Sequence, residues 1–371
     1  MSGTTGNILL RSECVSNVNY LEAASQQYIG SPSITLLNDG RLVCSHDVFG
    51  PGSTNSQTLI FQSYDDGSTW KHACSIDGQF WSSLFINDSA LYILGTSCEG
   101  GHAVIRKSLD GGGSWTEPQC KNSGLLLDDA RYHCAPTPVL VHGNRIWRAM
   151  EDMMGPGYWG TCFRTFVMSA PIDCDLLAAS SWTHSNRLDR DPCWLNGRFG
   201  GWLEGNIVQD KSGSVVNLLR VHTETHPEFA AIVKVSEEGS HVEFAPDSGF
   251  IPFPGGSKKF TIRFDPFSAY YWTLCNYVPP SFRKMLPAET RNTLCLARSR
   301  NLYKWEIRGV LMHHPEPVYH GYQYADWQFA GSDIVAVVRT ADDDDNGGAH
   351  NNHDSNYLRF ARVANFRSFI D

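Results

Sequence analysis

Short apolar runs alternate with polar turn signals along most of the chain, and no segment carries a sustained 3.6-residue apolar period. Residues 34–37 and 42–45 flank Asn38-Asp39-Gly40, and residues 207–209 and 215–219 flank Lys211-Ser212-Gly213. Turns of the same kind recur at Asn87-Asp88-Ser89, His142-Gly143-Asn144, Asp265-Pro266-Phe267-Ser268 and Ala330-Gly331-Ser332-Asp333. Each reads as a hairpin between two β-strands, because Asn, Asp and Gly tolerate the backbone conformations of tight turns.

A second signature falls between these hairpins. Ser63-Tyr64-Asp65-Asp66-Gly67-Ser68-Thr69-Trp70 and Ser108-Leu109-Asp110-Gly111-Gly112-Gly113-Ser114-Trp115 both read Ser-x-Asp-x-Gly-x-x-Trp. The Asp side chain can accept backbone N–H groups and close a turn, Gly supplies a positive φ, and Trp packs a large apolar plate beside it. Degenerate copies start at Ser169, Ser236 and Ser299, so the series is spaced 45, 61, 67 and 63 residues apart. Strands recurring with turn signals at such a period predict radial repetition. Counting the hairpins gives six sheets in one domain spanning residues 1–371, an all-β six-bladed β-propeller. The last sheet, from Tyr324 to Asn365, lacks a signature, which predicts ring closure by an N-terminal strand within residues 8–21. A β-sandwich array is the alternative architecture.

Composition narrows the function. The chain has 11 Trp, 14 Tyr, 19 Phe and 33 Gly but only 19% charged residues, which suits a β-rich core with an aromatic ligand cleft. Net charge is −9 with no basic run, so neither nucleic acid nor a membrane is an expected partner. No apolar stretch approaches the roughly 20 residues that span a bilayer. The N-terminal MSGTTGNILLRSEC has neither a basic nor an apolar leader region, which points to a cytoplasmic protein, although a chain shorn of its leader would look the same. The 11 cysteines form no CxxC pair and read as mostly reduced, buried residues.

In a propeller blade the first strand lines the central channel and the second returns antiparallel to it. First-strand starts and second-strand ends therefore meet at one mouth. That rule selects His46 and Asp47 in blade one, Trp81 in blade two, and His133 and Glu151 in blade three. It selects Glu204 and Arg220 in blade four, and Tyr324, Asp326 and Arg339 in blade six, with His320 just ahead. Trp81, Trp159 and Trp327 are candidates for a sugar-stacking platform.

The repeated signature resembles the Asp box of the sialidase (neuraminidase) superfamily, known for six-bladed propellers. Two segments add to the resemblance. Trp202-Leu203-Glu204-Gly205-Asn206-Ile207-Val208-Gln209, followed by Val216-Asn217-Leu218-Leu219-Arg220, is similar to the strand pair carrying that family's catalytic Glu and a carboxylate-binding Arg. Gln323-Tyr324-Ala325-Asp326-Trp327 is similar to the region of its nucleophilic Tyr. The resemblance implies Tyr324 as nucleophile, Glu204 as its base and Asp47 or His46 as the acid. Because a free phenol has a pKa of about 10, an adjacent base is a chemical requirement near neutral pH. Blade one departs from the family: the stretch Tyr28-Ile29-Gly30-Ser31-Pro32-Ser33 has no Arg where sialidases place the first of three. No third arginine is evident either, which predicts a specificity other than sialic acid.

Three functions follow. The first is an exo-acting glycoside hydrolase removing a terminal sugar. The second is a lyase using His46, His133 and Tyr324 for β-elimination beside a uronic acid, and the third is a non-catalytic carbohydrate-binding propeller. In each case the partner is a carbohydrate, with the oligomeric state open, and no cofactor or metal is expected. Asp342-Asp343-Asp344-Asp345-Asn346-Gly347 imitates the start of a calcium loop, but position twelve is His353 where an EF-hand needs Glu. His350, His353 and Asp354 could take a transition metal only if that loop folds back; a solvated turn is the expectation.

Overall fold

The computed structural model describes residues 12–370. Six small antiparallel sheets form a ring, a six-bladed β-propeller. All six hairpin turns join the first and second strands of a blade, as their Asn, Asp and Gly residues predict. Blade one comprises Tyr28–Leu36, Leu42–Phe49, Gln57–Ser63 and Lys71–Asp77, and blade two begins with Phe80–Asn87 and Ala90–Thr96. In blade three the innermost edge is split into Tyr132–His133 and Leu140–His142, both paired with Arg145–Asp152. Pro136 and Pro138 occupy the gap, where a residue without an N–H cannot extend the ladder. Blade four opens with Gly201–Gln209 and Val215–His222, and blade five with Thr261–Asp265 and Tyr270–Asn276. Blade six contains Gly321–Ala330, Asp333–Ala341 and Tyr357–Val363, completed by the N-terminal strand Ser12–Tyr20. The predicted closure is therefore seen; residues 8–11 of the anticipated range, and residues 1–11 of the N-terminal stretch read for a leader, lie outside the described residues.

The core lies between blades. Six large apolar clusters each straddle one neighbouring pair, including Val335, Val337 and Phe360 of blade six against Ile34, Cys44 and Phe61 of blade one. Burying apolar area on both sheet faces is the main force that holds such blades together. Nearer the axis, polar side chains add a closed belt. Leu84 N donates to Ser33 Oγ (3.0 Å), Ser83 Oγ to Thr137 O (2.8 Å), and Thr137 Oγ1 to Gly205 O (2.7 Å). Ile262 N donates to Asn206 Oδ1 (2.9 Å) and Thr261 Oγ1 to Ala325 O (2.9 Å). Asp326 Oδ2 closes the circle by accepting Ser33 Oγ (3.0 Å) and Ile34 N (2.9 Å).

Both intact signature turns fold alike. Asp65 Oδ1 accepts Ser63 Oγ (2.9 Å) and Thr69 N (2.8 Å), while Gly67 at φ +88° donates to Ser63 Oγ (2.9 Å). Asp110 Oδ1 likewise accepts Ser108 Oγ (2.7 Å) and Ser114 N (3.0 Å), and Gly112 at φ +103° donates to Ser108 Oγ (2.8 Å). The copy at Ser299 uses Asn301 as acceptor for Tyr303 N and Lys304 N (3.1 Å each). These turns follow third strands, so they lie on the face opposite the channel mouth. The described cysteines form no disulfide; Cys44, Cys134, Cys162, Cys275 and Cys295 are buried thiols.

Candidate active site

The innermost strands of blades one, two, four and six share an irregularity at the mouth. Pairing skips two residues between Ile29 and Pro32, Phe80 and Ser83, Leu203 and Asn206, and Gln323 and Asp326. Three of these bulges hold a non-glycine residue in the left-handed region: Trp81 (φ +50°), Glu204 (φ +56°) and Tyr324 (φ +52°). Large side chains tolerate that conformation poorly, and such strain concentrates at functional sites. The next residue is small each time (Ser82, Gly205, Ala325). In blade one the equivalent residue is Gly30, where an added Cβ would lie 2.6 Å from the backbone oxygen of Asp47. This crowding explains why blade one offers no side chain there.

The bulged residues line a cavity of about 260 Å³. Tyr324 Oη donates to Glu204 Oε1 at 3.0 Å. Arg220 Nη1 donates to Glu204 Oε2 at 2.9 Å and lies 3.5 Å from Tyr324 Oη, while its Nε is anchored on Ser257 O (2.9 Å). Burial opposes charge on Glu204, but Arg220, His133 and the Tyr324 hydroxyl outweigh it and hold the carboxyl below its ordinary value. Arg339 lies over the Tyr324 ring at 5.0 Å and over Phe49 at 4.5 Å, and Arg291 lies 5.9 Å from the Tyr324 centroid. Burial lowers Arg339 to about 10, which still leaves it cationic at neutral pH. Below the tyrosine, Lys259 Nζ donates to Ala325 O (2.8 Å) and approaches Tyr324 O (3.5 Å), pinning the strained backbone.

Asp47 lines the same cavity from blade one. Thr58 Oγ1 donates to its Oδ1 (2.9 Å), whereas the buried Oδ2 has no partner. Burial pushes this carboxyl up to about 7, and the Thr58, Trp81 and Ser31 donors offset only part of that. His133 is held by Glu151 Oε2 at 2.9 Å, stacked on Phe163 and met edge-on by Trp81. Trp81 and Trp159 meet at a tilt of 53° with centroids 5.8 Å apart and form an aromatic wall.

The sequence-derived candidates thus divide. Glu204, Tyr324, Asp47, His133, Arg220, Arg339 and Trp81 line the cavity, as does Trp159. The others do not. His46 points to the opposite side of its strand from Asp47; it is buried against Phe61, bonded to Asn19 Nδ2 (2.9 Å) and Asp47 O, and lowered by burial to about 4. Glu151 positions His133 and also accepts Gly205 N (3.4 Å). Asp326 belongs to the inter-blade belt, and Trp327 is wholly buried, its indole bonded to Thr261 O (3.0 Å). His320 sits among Glu316, Asp342 and Asp343.

Arg291, Phe49 and Glu99 were not singled out from sequence, and His353 was read only as a loop residue that could bind a metal. Arg291 lies just before Thr293–Ser299, a third strand, and third strands also start at the mouth; that signal was available. Asp344 in the acidic loop accepts from both backbone and side chain: Oδ1 accepts Asn346 N and Gly348 N (2.8 Å each), and Oδ2 accepts Tyr20 Oη (3.0 Å). His353 lines the cavity with Nδ1 held by Asp354 (2.8 Å).

No protein-family model matches the sequence, and no curated protein does. Solved structures do match the fold. An α-L-arabinanase of Penicillium chrysogenum, complexed with arabinobiose, aligns over 97% of this chain and 98% of its own at 11% identity and TM-score 0.57. What these structures share with the chain is the fold, a six-bladed β-propeller. An α-L-arabinofuranosidase of Fusarium graminearum aligns over 100% of both chains at 12% identity and TM-score 0.58. A Trypanosoma rangeli sialidase in complex with an inhibitor aligns over 93% of this chain and 56% of its own, at 14% identity and TM-score 0.57.

Proposed function

We propose that this sialidase-like propeller is an exo-acting glycoside hydrolase that removes a terminal acidic sugar through a tyrosine nucleophile. The observation that carries the reading is the Tyr324 Oη–Glu204 Oε1 hydrogen bond of 3.0 Å inside a cavity shared with Arg220, Arg291 and Arg339. A phenol attacks as its anion develops, and Glu204 is placed to take that proton. Arg220, 3.5 Å from the oxygen, stabilises the negative charge that forms. Asp47, with its carboxyl raised to about 7, keeps a substantial protonated fraction near neutral pH and can donate to the departing oxygen. In the second half-reaction the Asp47 carboxylate would take a proton from water as that water displaces the tyrosine, giving net retention.

Three guanidinium groups around one tyrosine favour a carboxylate on the sugar close to the reacting carbon. A neutral nucleophile suits such a substrate, since a carboxylate nucleophile would repel it. The departure in blade one is thus balanced by Arg339 of blade six and by Arg291. A cavity of about 260 Å³ suits one sugar residue better than a chain interior. The lyase reading is less favoured because His46, half of its acid/base pair, does not line the cavity.

Aryl glycosides of a 2-keto-3-deoxy acidic sugar, a uronic acid and arabinofuranose test the reading, with absorbance of unsaturated uronate followed alongside. The acidic 2-keto sugar is expected to be cleaved, and Tyr324→Phe to lower kcat/KM by about 10³-fold or more. Cleavage of arabinofuranoside alone, or an ultraviolet-absorbing product, would contradict it.

A further inference from the structure

Outside the cavity, at the edge of blade six, His320 sits in an arrangement that its protein neighbours leave unsatisfied. The residue is 6% exposed and immediately precedes Gly321–Ala330. Its Nδ1 is 2.8 Å from Glu316 Oε2, and Glu316 is itself fixed by Val318 N (2.6 Å) and Tyr319 N (2.9 Å). An acceptor at Nδ1 places a proton on that nitrogen, so in the neutral ring Nε2 presents a lone pair. This buried Nε2 has no hydrogen-bond partner. It faces Asp342 Oδ1 at 3.7 Å and Asp343 Oδ1 at 3.5 Å. With the ring neutral, three side-chain acceptors therefore converge without a side-chain donor between them.

A direct N–H···O bond would draw these atoms to about 2.7–3.2 Å. The observed gaps are wider. Tetrahedral ligands held at 2.0–2.1 Å from one ion stand about 3.3–3.5 Å apart, close to the distances seen. Ligand atoms of all three side chains lie within 4.8 Å of one another. A histidine whose second nitrogen is oriented by a carboxylate is the usual form of a metal ligand, because the outer bond fixes the tautomer and raises the basicity of the ligating nitrogen. Asp342 is steadied in turn by Arg359 on Oδ2 and by Asp343 N on Oδ1 (3.0 Å).

We propose that His320 Nε2, Asp342 Oδ1 and Asp343 Oδ1 bind one divalent transition-metal ion, with Glu316 orienting the imidazole. One imidazole and two carboxylates suit Zn²⁺ or Mn²⁺, whereas Ca²⁺ seeks six to eight oxygens. The ion would tie the start of Gly321–Ala330 to the end of Asp333–Ala341, where Gly321 pairs with Ala341. It would also anchor the loop from Asp342 to His353, whose backbone oxygens at Asn352 (2.7 Å) and His353 (3.1 Å) receive Gln323 Nε2 beside Tyr324. The site does not depend on what the cavity binds.

The test is calorimetric titration of the tag-free, chelator-treated full chain with ZnCl₂ and MnCl₂, and with CaCl₂ as a control. Wild type, Asp343→Asn and His320→Gln are compared, and thermal unfolding is recorded with and without metal. Asp343 has an 87% exposed side chain, so its variant folds irrespective of any role in the core. One equivalent of Zn²⁺ or Mn²⁺ per chain is expected, with affinity at least tenfold weaker in each variant. The metal should raise the wild-type Tm by several degrees and leave the variants nearly unmoved. Absence of stoichiometric binding by either ion, or a change of less than tenfold in either folded variant, would overturn the proposal. If His320→Gln fails to fold, Asp343→Asn decides it alone.

Discussion

Asp47 shows how one buried atom can set both rate and stability. Its Oδ2 has no partner and its carboxyl is raised by burial to about 7 from 3.8. The folded state therefore holds this proton more tightly than the unfolded chain does. Its stabilising contribution is complete below about pH 3.8 and is lost as pH rises through about 7. The Tm of wild type should accordingly fall relative to Asp47→Asn between pH 4 and pH 8. Activity should carry an alkaline limb near pH 7, where the acid loses its proton, and an acid limb below the ordinary 4.5 of a glutamate, set by Glu204. In Asp47→Asn the alkaline limb should vanish, with an activated aryl leaving group losing far less rate than a sugar leaving group. A pH–rate profile that keeps its alkaline limb in Asp47→Asn would assign the acid elsewhere. His46 illustrates why the sequence could not separate these neighbours. Successive strand residues face opposite sides, so only one of His46 and Asp47 can meet the cavity, and the phase of that alternation depends on a bulge two residues wide between Ile29 and Pro32.

At the scale of elements, hairpins were legible and bulges were not. Asn38-Asp39-Gly40 and its five counterparts form their turns through local chemistry, which the sequence spells out. The bulges that expose Trp81, Glu204 and Tyr324 depend on neighbouring blades holding strained backbone in place, as Lys259 does for Tyr324. Glu204 and Tyr324 were selected by the channel-mouth rule and given roles by their resemblance to known strands, whereas Arg291 lies in a connecting segment outside the paired first and second strands. Asp326 was selected with Tyr324 as a strand-start residue at the channel mouth, yet it closes the belt between blades six and one. Asp326→Ala should leave Ser33 Oγ and Ile34 N without that buried acceptor and destabilise the fold by about 2–4 kcal/mol. Chemical denaturation should show a lower midpoint, with substrate KM little changed in the folded fraction. Unaltered stability would remove Asp326 from the belt's energetics.

The whole molecule combines a net charge of −9 with a cavity lined by Arg220, Arg291 and Arg339. On the proposed function, local field rather than overall charge would govern which sugar enters. The ring carries its signature turns on one face and its chemistry on the other, so sequence repeats report architecture and say little about substrate. The central claim is that a covalent bond forms at Tyr324, and trapping that bond tests it most directly. The chain would be incubated with a fluorinated, slowly turned-over derivative of an acidic 2-keto sugar, then digested and mapped by mass spectrometry. The account predicts one sugar per chain on the peptide containing Tyr324, absent in Tyr324→Phe. Rapid inactivation with the label on Glu204 or Asp47, or turnover of the parent sugar with no adduct at all, would contradict it.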